Sequence, residues 1–183
     1  MNDAAELIDC ITLGGGCFWC TEAVFERVQG VVSVEPGYSN GHVQQPSYEQ
    51  VCTGRTGYSE VVRVRFDTSQ ISLAAILEIF FATHDPTSLN RQGADVGTQY
   101  RSGIYYRNAE QDQVARQVLE AAQAALGGRV VTEVLPEQNY WPAEAYHHHY
   151  YARNPEQGYC VFVVAGKVDK FLSTFSQYAR KAS

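Results

Sequence analysis

Apolar positions recur along this chain with two periods, and the alternation between them predicts its elements. Ile8–Leu13 is a short, mostly apolar run that reads as a buried strand, and it ends in Gly14-Gly15-Gly16. Phe18, Trp19, Ala23, Phe25 and Val28 then follow helical spacing until Gly30. Val31–Val34 reads as a second strand. Residues 35–58 are rich in Gly, Pro, Ser, Gln and Tyr, and a loop that long inside a compact domain is usually functional. In Ser59–Phe66, Val62, Val64 and Phe66 alternate with Val61, Arg63 and Arg65, the period of a half-buried strand. Ser72 is placed to cap a helix over Ser72–Thr83, with Leu73, Ile76, Leu77 and Phe80 on one face. A polar loop over Asp85–Arg101 precedes a strand at Ser102–Tyr106 and a helix at Ala109–Leu126 that ends in Gly127-Gly128. Val130–Leu135 is a further strand, and Ala143–Ala152 and Lys167–Arg180 are expected as helices.

Through Tyr106 the order is β-α-β-β-α-β. That order predicts an α+β fold with a ferredoxin-like, two-layer core: an antiparallel sheet with helices on one face. Long functional loops and a C-terminal extension complete the expected architecture. With no repeat and no Pro/Ser-rich linker, residues 1–183 are expected to form one catalytic domain. Its core spans about 8–135, followed by a C-terminal segment, 136–183.

Length agrees, since 183 residues are close to one domain at roughly 150 residues each. The net charge of −6 disfavours nucleic acid or an anionic membrane surface as partner, because both call for basic patches. No run approaches the ~20 apolar residues of a membrane span. The opening MNDAAELIDC lacks the pattern of a secretory or mitochondrial leader. Five cysteines are too few, and odd in number, for a secreted disulfide framework, so a reducing cytoplasm is expected.

Chemistry concentrates at residues 14–20, Gly-Gly-Gly-Cys-Phe-Trp-Cys. Cys17 sits where a strand meets a helix. Free N–H groups and the dipole at a helix start favour a thiolate and are expected to lower its pKa. Phe18 and Trp19 either join the core or wall an apolar pocket beside the thiol, and both can hold together. Cys17 and Cys20 form a C-x-x-C, which reads as a redox pair, but with no second pair it is a poor zinc site. His147-His148-His149 does not read as a metal site, since successive helical residues point about 100° apart; a solvated or partly packed cluster is expected. Glu60 opens a strand that is otherwise apolar, and a carboxyl buried there would be raised in pKa and able to act as an acid near neutral pH. Two further readings of these residues stand beside catalysis on a substrate. One is a general thiol–disulfide oxidoreductase using Cys17 and Cys20; the other is a binding module whose tyrosines recognise methyl-sulfur or methylammonium groups.

Gly16-Cys17-Phe18-Trp19 resembles the signature of the type A peptide methionine sulfoxide reductases. Further matches follow in the family's order: Gly37-Tyr38, Pro46-Ser47-Tyr48, Gly54-x-x-Gly57, His84-Asp85-Pro86, Gly97 to Ser102, Asn154-Pro155 and Gly158-Tyr159-Cys160. The resemblance implies reduction of the S-epimer of methionine sulfoxide, free or in peptides, with no cofactor and no metal. It implies Cys17 as nucleophile, Glu60 as proton donor, and Tyr48 and Tyr100 as hydrogen-bond donors to the sulfoxide oxygen. Asp95 would orient the site, and Phe18 and Trp19 would hold the S-methyl group. A Cys17 sulfenic acid would be resolved by Cys160, with thioredoxin closing the cycle and the protein acting as a monomer. Cys20 stands where many relatives have Gly, which leaves it as a second candidate resolving thiol. Cys10 and Cys52 read as structural or incidental.

Overall fold

The computed structural model describes residues 7–181. The reading of residues 1–6 as free of a leader lies outside the described residues. Strands β1 (Ile8–Gly15), β2 (Val31–Ser39) and β3 (Ser59–Asp67) alternate with helices α1 (Phe18–Phe25) and α2 (Tyr48–Cys52). Helix α3 (Leu73–Ala82), a two-residue hairpin of β4 (Arg91–Gln92) and β5 (Asp95–Val96), and β6 (Ser102–Tyr106) come next. Helix α4 (Ala109–Ala125), β7 (Glu133–Pro136), β8 (Trp141–Pro142), α5 (Tyr150–Arg153) and α6 (Ala165–Thr174) complete the chain.

The main sheet has the order β7-β6-β1-β3-β2-β8. Every pair is antiparallel except β6 with β7. The fold is therefore a mixed α/β fold, where the sequence predicts an antiparallel sheet. The reason is the 17-residue helix α4 between β6 and β7: a helical crossover returns the chain to its starting edge, and the next strand runs parallel.

Alternation in β3 works as read. Val62, Val64 and Phe66 are fully buried against Ile11 and Leu13 of β1, and each such side chain contributes about 1.5–3 kcal/mol on burial. Helix α1 is apolar nearly all round because it is sandwiched in this core, and Phe18, Cys20, Ala23, Val24 and Phe25 are all buried. On the other face Arg63 pairs with Glu137 at 2.9 Å beneath the Tyr140 ring, and Thr12 donates to the same carboxylate at 2.5 Å.

Several expected boundaries move. β2 runs on to Ser39, into residues expected as loop, and β7 begins at Glu133 rather than Val130. The helix expected over Ala143–Ala152 is a short 3-10 turn, Ala145–His147, followed by α5. His149 breaks it, with its backbone in the left-handed region (φ 55°). The last expected helix begins early: a π-helical stretch, Cys160–Val164, leads into α6.

Candidate active site

The pairing of β1 with β3 builds the centre. Its register runs Ile8↔Asp67 to Leu13↔Val62, which brings the C-terminal end of β1 beside the start of β3, where Glu60 lies. The chain then leaves the sheet at Gly16, whose φ of +94° suits glycine, and a Cβ there would lie 2.5 Å from the Gln92 side chain. Cys17 occupies the N-cap position of α1, and its side chain caps nothing. The capping group is Glu60, whose Oε1 accepts the Phe18 N–H at 3.2 Å.

Glu60 is 1% exposed, and burial pushes its carboxyl up to about 8, against the opposing pull of the Phe18 N–H and with a further push from Asp95. It therefore carries a proton at neutral pH. The thiol pair differs from expectation. Burial raises the Cys17 thiol well above its ordinary range, and its hydrogen bond to Cys20 and the Glu60 carboxyl add to this. The same thiol–thiol bond lowers Cys20. The helix start supplies the dipole the sequence predicts, but desolvation outweighs it in the resting state.

Aromatic rings pack around the start of α1. Phe18 is buried, with Tyr48 stacked at 6.5 Å and His147 at 4.8 Å between centroids. Trp19 stacks on Tyr150 at 3.7 Å, and its indole N–H donates to His147 Nδ1 at 3.0 Å. His147 is thus fully buried in the wall while His148 is half-buried and His149 exposed, a partly packed cluster, and burial lowers His147 to about 4 so that it is neutral. Tyr48 opens α2, where Ser47 and Gln50 form a reciprocal capping box and Glu144 accepts the Tyr48 N–H at 3.0 Å. Burial and the nearby Glu60 raise the Tyr48 and Tyr100 phenols, so both stay protonated donors. Asp95, on β5, accepts the Tyr159 hydroxyl at 2.6 Å, and that hydroxyl also lies 3.7 Å from the Cys20 sulfur. Cys160 follows Tyr159 and is buried within the π-helical stretch.

Glu144, His147, Tyr150 and Gln92 were not singled out from the sequence as site residues. Ser47-x-x-Gln50 is a legible capping signal for the missed helix α2, whereas nothing local marks Glu144, which acts across 96 residues of chain. Among the described residues, the ligand types for a metal meet at Glu22, Glu26 and His149. There Glu22 already accepts the N–H groups of His149 and Tyr150, and His149 pairs with Glu26, so the cluster is internally satisfied. No helix among the described residues is long and apolar enough to cross a membrane.

The profile of one protein family, described as "Peptide methionine sulfoxide reductase", matches residues 9–179. The chain belongs to this family. Its activity is the reduction of methionine sulfoxide. Peptide methionine sulfoxide reductase MsrA of Saccharolobus solfataricus is 54% identical over 92% of this chain and 95% of its own. Among solved structures, Saccharomyces cerevisiae Mxr1 in reduced form matches with TM-score 0.80 and 34% identity, covering 87% of this chain and 92% of that one. Mxr1 in an "unusual oxidized form" matches less closely, with TM-score 0.62, 32% identity and coverage of 85% and 86%.

Proposed function

We propose that the chain reduces the S-epimer of methionine sulfoxide with Cys17 as nucleophile and Glu60 as acid. The observation that carries this reading is a protonated, buried carboxyl bonded to the first N–H of the helix that Cys17 begins. Cys17 sulfur adds to the electron-poor sulfoxide sulfur while Glu60 gives its proton to the oxygen. Tyr48 and Tyr100 donate to that oxygen as charge builds on it. Phe18 and Trp19 hold the methyl group, so that one hand of sulfoxide turns its sulfur towards Cys17. The Cys17 thiol proton passes to the Glu60 carboxylate, the substrate's S–O bond and its bond to Cys17 sulfur break as the hydroxyl moves to Cys17, and the thioether leaves with Cys17 as a sulfenic acid. Asp95 orients the site through Tyr159.

Cys160 thiol then attacks Cys17 sulfur, a disulfide forms, and hydroxide leaves as water. A thioredoxin re-reduces the disulfide by thiol exchange. A second reading for this step is favoured by the Cys17–Cys20 thiol contact: Cys20 captures the sulfenic acid first. Peptide mass mapping after one equivalent of substrate separates the two readings.

The finer architecture is a ferredoxin-like core, and what supports it is the inner strand order β6-β1-β3-β2. We take residues 1–183 as one catalytic domain, core about 8–135 and C-terminal segment 136–183, acting as a monomer in the cytoplasm. A hydrophobic cluster joining residues from Ile11 to Phe171 and five free thiols support this. Assay with a dithiol and each purified epimer of a methionine sulfoxide amide tests the function. Turnover confined to the S form, and lost in Cys17→Ser, is expected; equal turnover of both epimers would refute the stereochemical assignment.

A further inference from the structure

Cys17 borders a cavity. This cavity, about 220 Å³ in volume, is lined by Cys17, Gln92, Asp95, Tyr159 and Lys167, and none of Glu60, Phe18, Tyr48 or Tyr100 borders it. It shares Gln92, Gly93 and Lys167 with a larger cavity of about 640 Å³ at the ends of α3 and α4. Arg129, Lys167 and Lys170 line that outer cavity, against one carboxylate, Asp85. Asp85 is already engaged, because it accepts the Thr87 and Ser88 hydroxyls at 2.6 Å each. Among the described residues none of the three cations belongs to an ion pair. In a chain of net charge −6, three cations set against Asp85 leave the outer cavity net positive, a local reversal of field that would gather anions there.

We propose that this vestibule binds a small thiol carrying carboxylates and presents it to oxidised Cys17 through a cavity that Glu60 does not line. The proposal rests on the sulfenic acid of the reading above. The outer cavity has room and cations for the carboxylates. The inner one admits a single thiol-bearing arm and ends on Cys17, which argues against a folded polypeptide as occupant. In the step, the thiol sulfur bonds to Cys17 sulfur and the S–O bond breaks. The thiol proton leaves with the hydroxyl as water, giving a mixed disulfide on Cys17. A second thiol, from Cys20 or from another molecule of reductant, then displaces one sulfur. Cys17 is returned either directly, as the second molecule leaves joined to the first, or through a Cys17–Cys20 disulfide that two further molecules of the thiol reduce by exchange. The vestibule thus offers a route of reduction independent of a protein dithiol.

The test uses the full chain with glutathione, 2-mercaptoethanol or cysteamine as sole reductant. Methionine formed in the first turnover, before any thiol is added, reports sulfoxide reduction separately from regeneration. Regeneration by glutathione should exceed that by cysteamine after correction for thiol pKa, and the advantage should shrink with added salt. In the double variant R129E/K170E the glutathione rate should fall about five- to tenfold, the scale of a few weak ion pairs reversed, with 2-mercaptoethanol within about twofold. S-methylglutathione, which has no thiol, should compete with glutathione in the native protein and lose that competition in the variant. Thiols ranked by pKa alone, or a variant that slows all three equally, would overturn the proposal. So would a variant that changes only the KM of acidic sulfoxide peptides, since the vestibule would then read the substrate.

Discussion

At the scale of the residue, the decisive number is the pKa of Glu60, about 8 from an ordinary 4.5. The folded protein holds this proton more tightly than the unfolded chain does. The stability it contributes is complete below about pH 4.5 and is lost progressively as pH rises to about 8. Glu60→Gln stays neutral throughout and can still accept the Phe18 N–H. Its melting temperature should therefore overtake the parent's in alkaline buffer and fall level with or below it in acid, as read by calorimetry. The first-turnover rate of methionine formation should drop by about 10²–10⁴ in this variant, the usual weight of a general acid. Alkylation of Cys17 by a small reagent should continue. In the parent the same rate should decline above about pH 8 as the acid empties, a limb absent from Glu60→Gln. The possibility of a raised Glu60 was legible in the sequence, because one carboxyl opens an apolar strand. The state of Cys17 was not. Local sequence announces a helix start, but only the packed fold reveals that burial and a neighbouring thiol outweigh the dipole.

At the scale of the element, the site depends on two junctions. Gly16 turns β1 into α1, and Gly16→Ala would require both a positive φ and space that Gln92 fills. A loss of about 1–3 kcal/mol in a urea titration is expected, with kcat/KM falling as Cys17 shifts. Glu144 joins β2 to α2, since it accepts the Tyr38 hydroxyl at 2.8 Å as well as the Tyr48 N–H. Glu144→Ala would leave the buried Tyr38 hydroxyl and that N–H unpaired, costing about 2–4 kcal/mol. Activity should fall with it, and Glu144→Gln should restore part of both by keeping one acceptor. Strand β3 was legible because its period-2 pattern extends over a full strand, and α3 because Ser72 and four apolar positions agree. Helix α2 was not, for five residues are too few to show a period. The two-residue strands β4 and β5 leave no pattern at all, yet they place Asp95 and Gln92.

At the scale of the whole molecule, the succession of strands and helices was largely readable, whereas a sequence order does not fix pairing, and the direction of β7 required α4 to be treated as a crossover. What sequence order cannot convey is distance. Cys17 and Cys160 lie at opposite ends of the chain, and the fold gathers α1 and the π-helical stretch into one core. In this reduced structure Cys160 is fully buried and not bonded to Cys17. A disulfide between them needs Cα atoms within about 7 Å and aligned Cβ directions, and bringing the buried Cys160 sulfur to it is expected to loosen the chain around Cys160. The π-helical register is suited to that, because its wider turns are a common point of local rearrangement at functional sites. Oxidation by one equivalent of substrate should therefore speed hydrogen exchange at residues 157–164, the segment held by the Tyr159–Asp95 bond, while the amides of β1 and β3 keep their protection. Unchanged exchange in that segment alongside a mapped Cys17–Cys20 link would instead assign the resolving thiol to α1, three residues from the nucleophile.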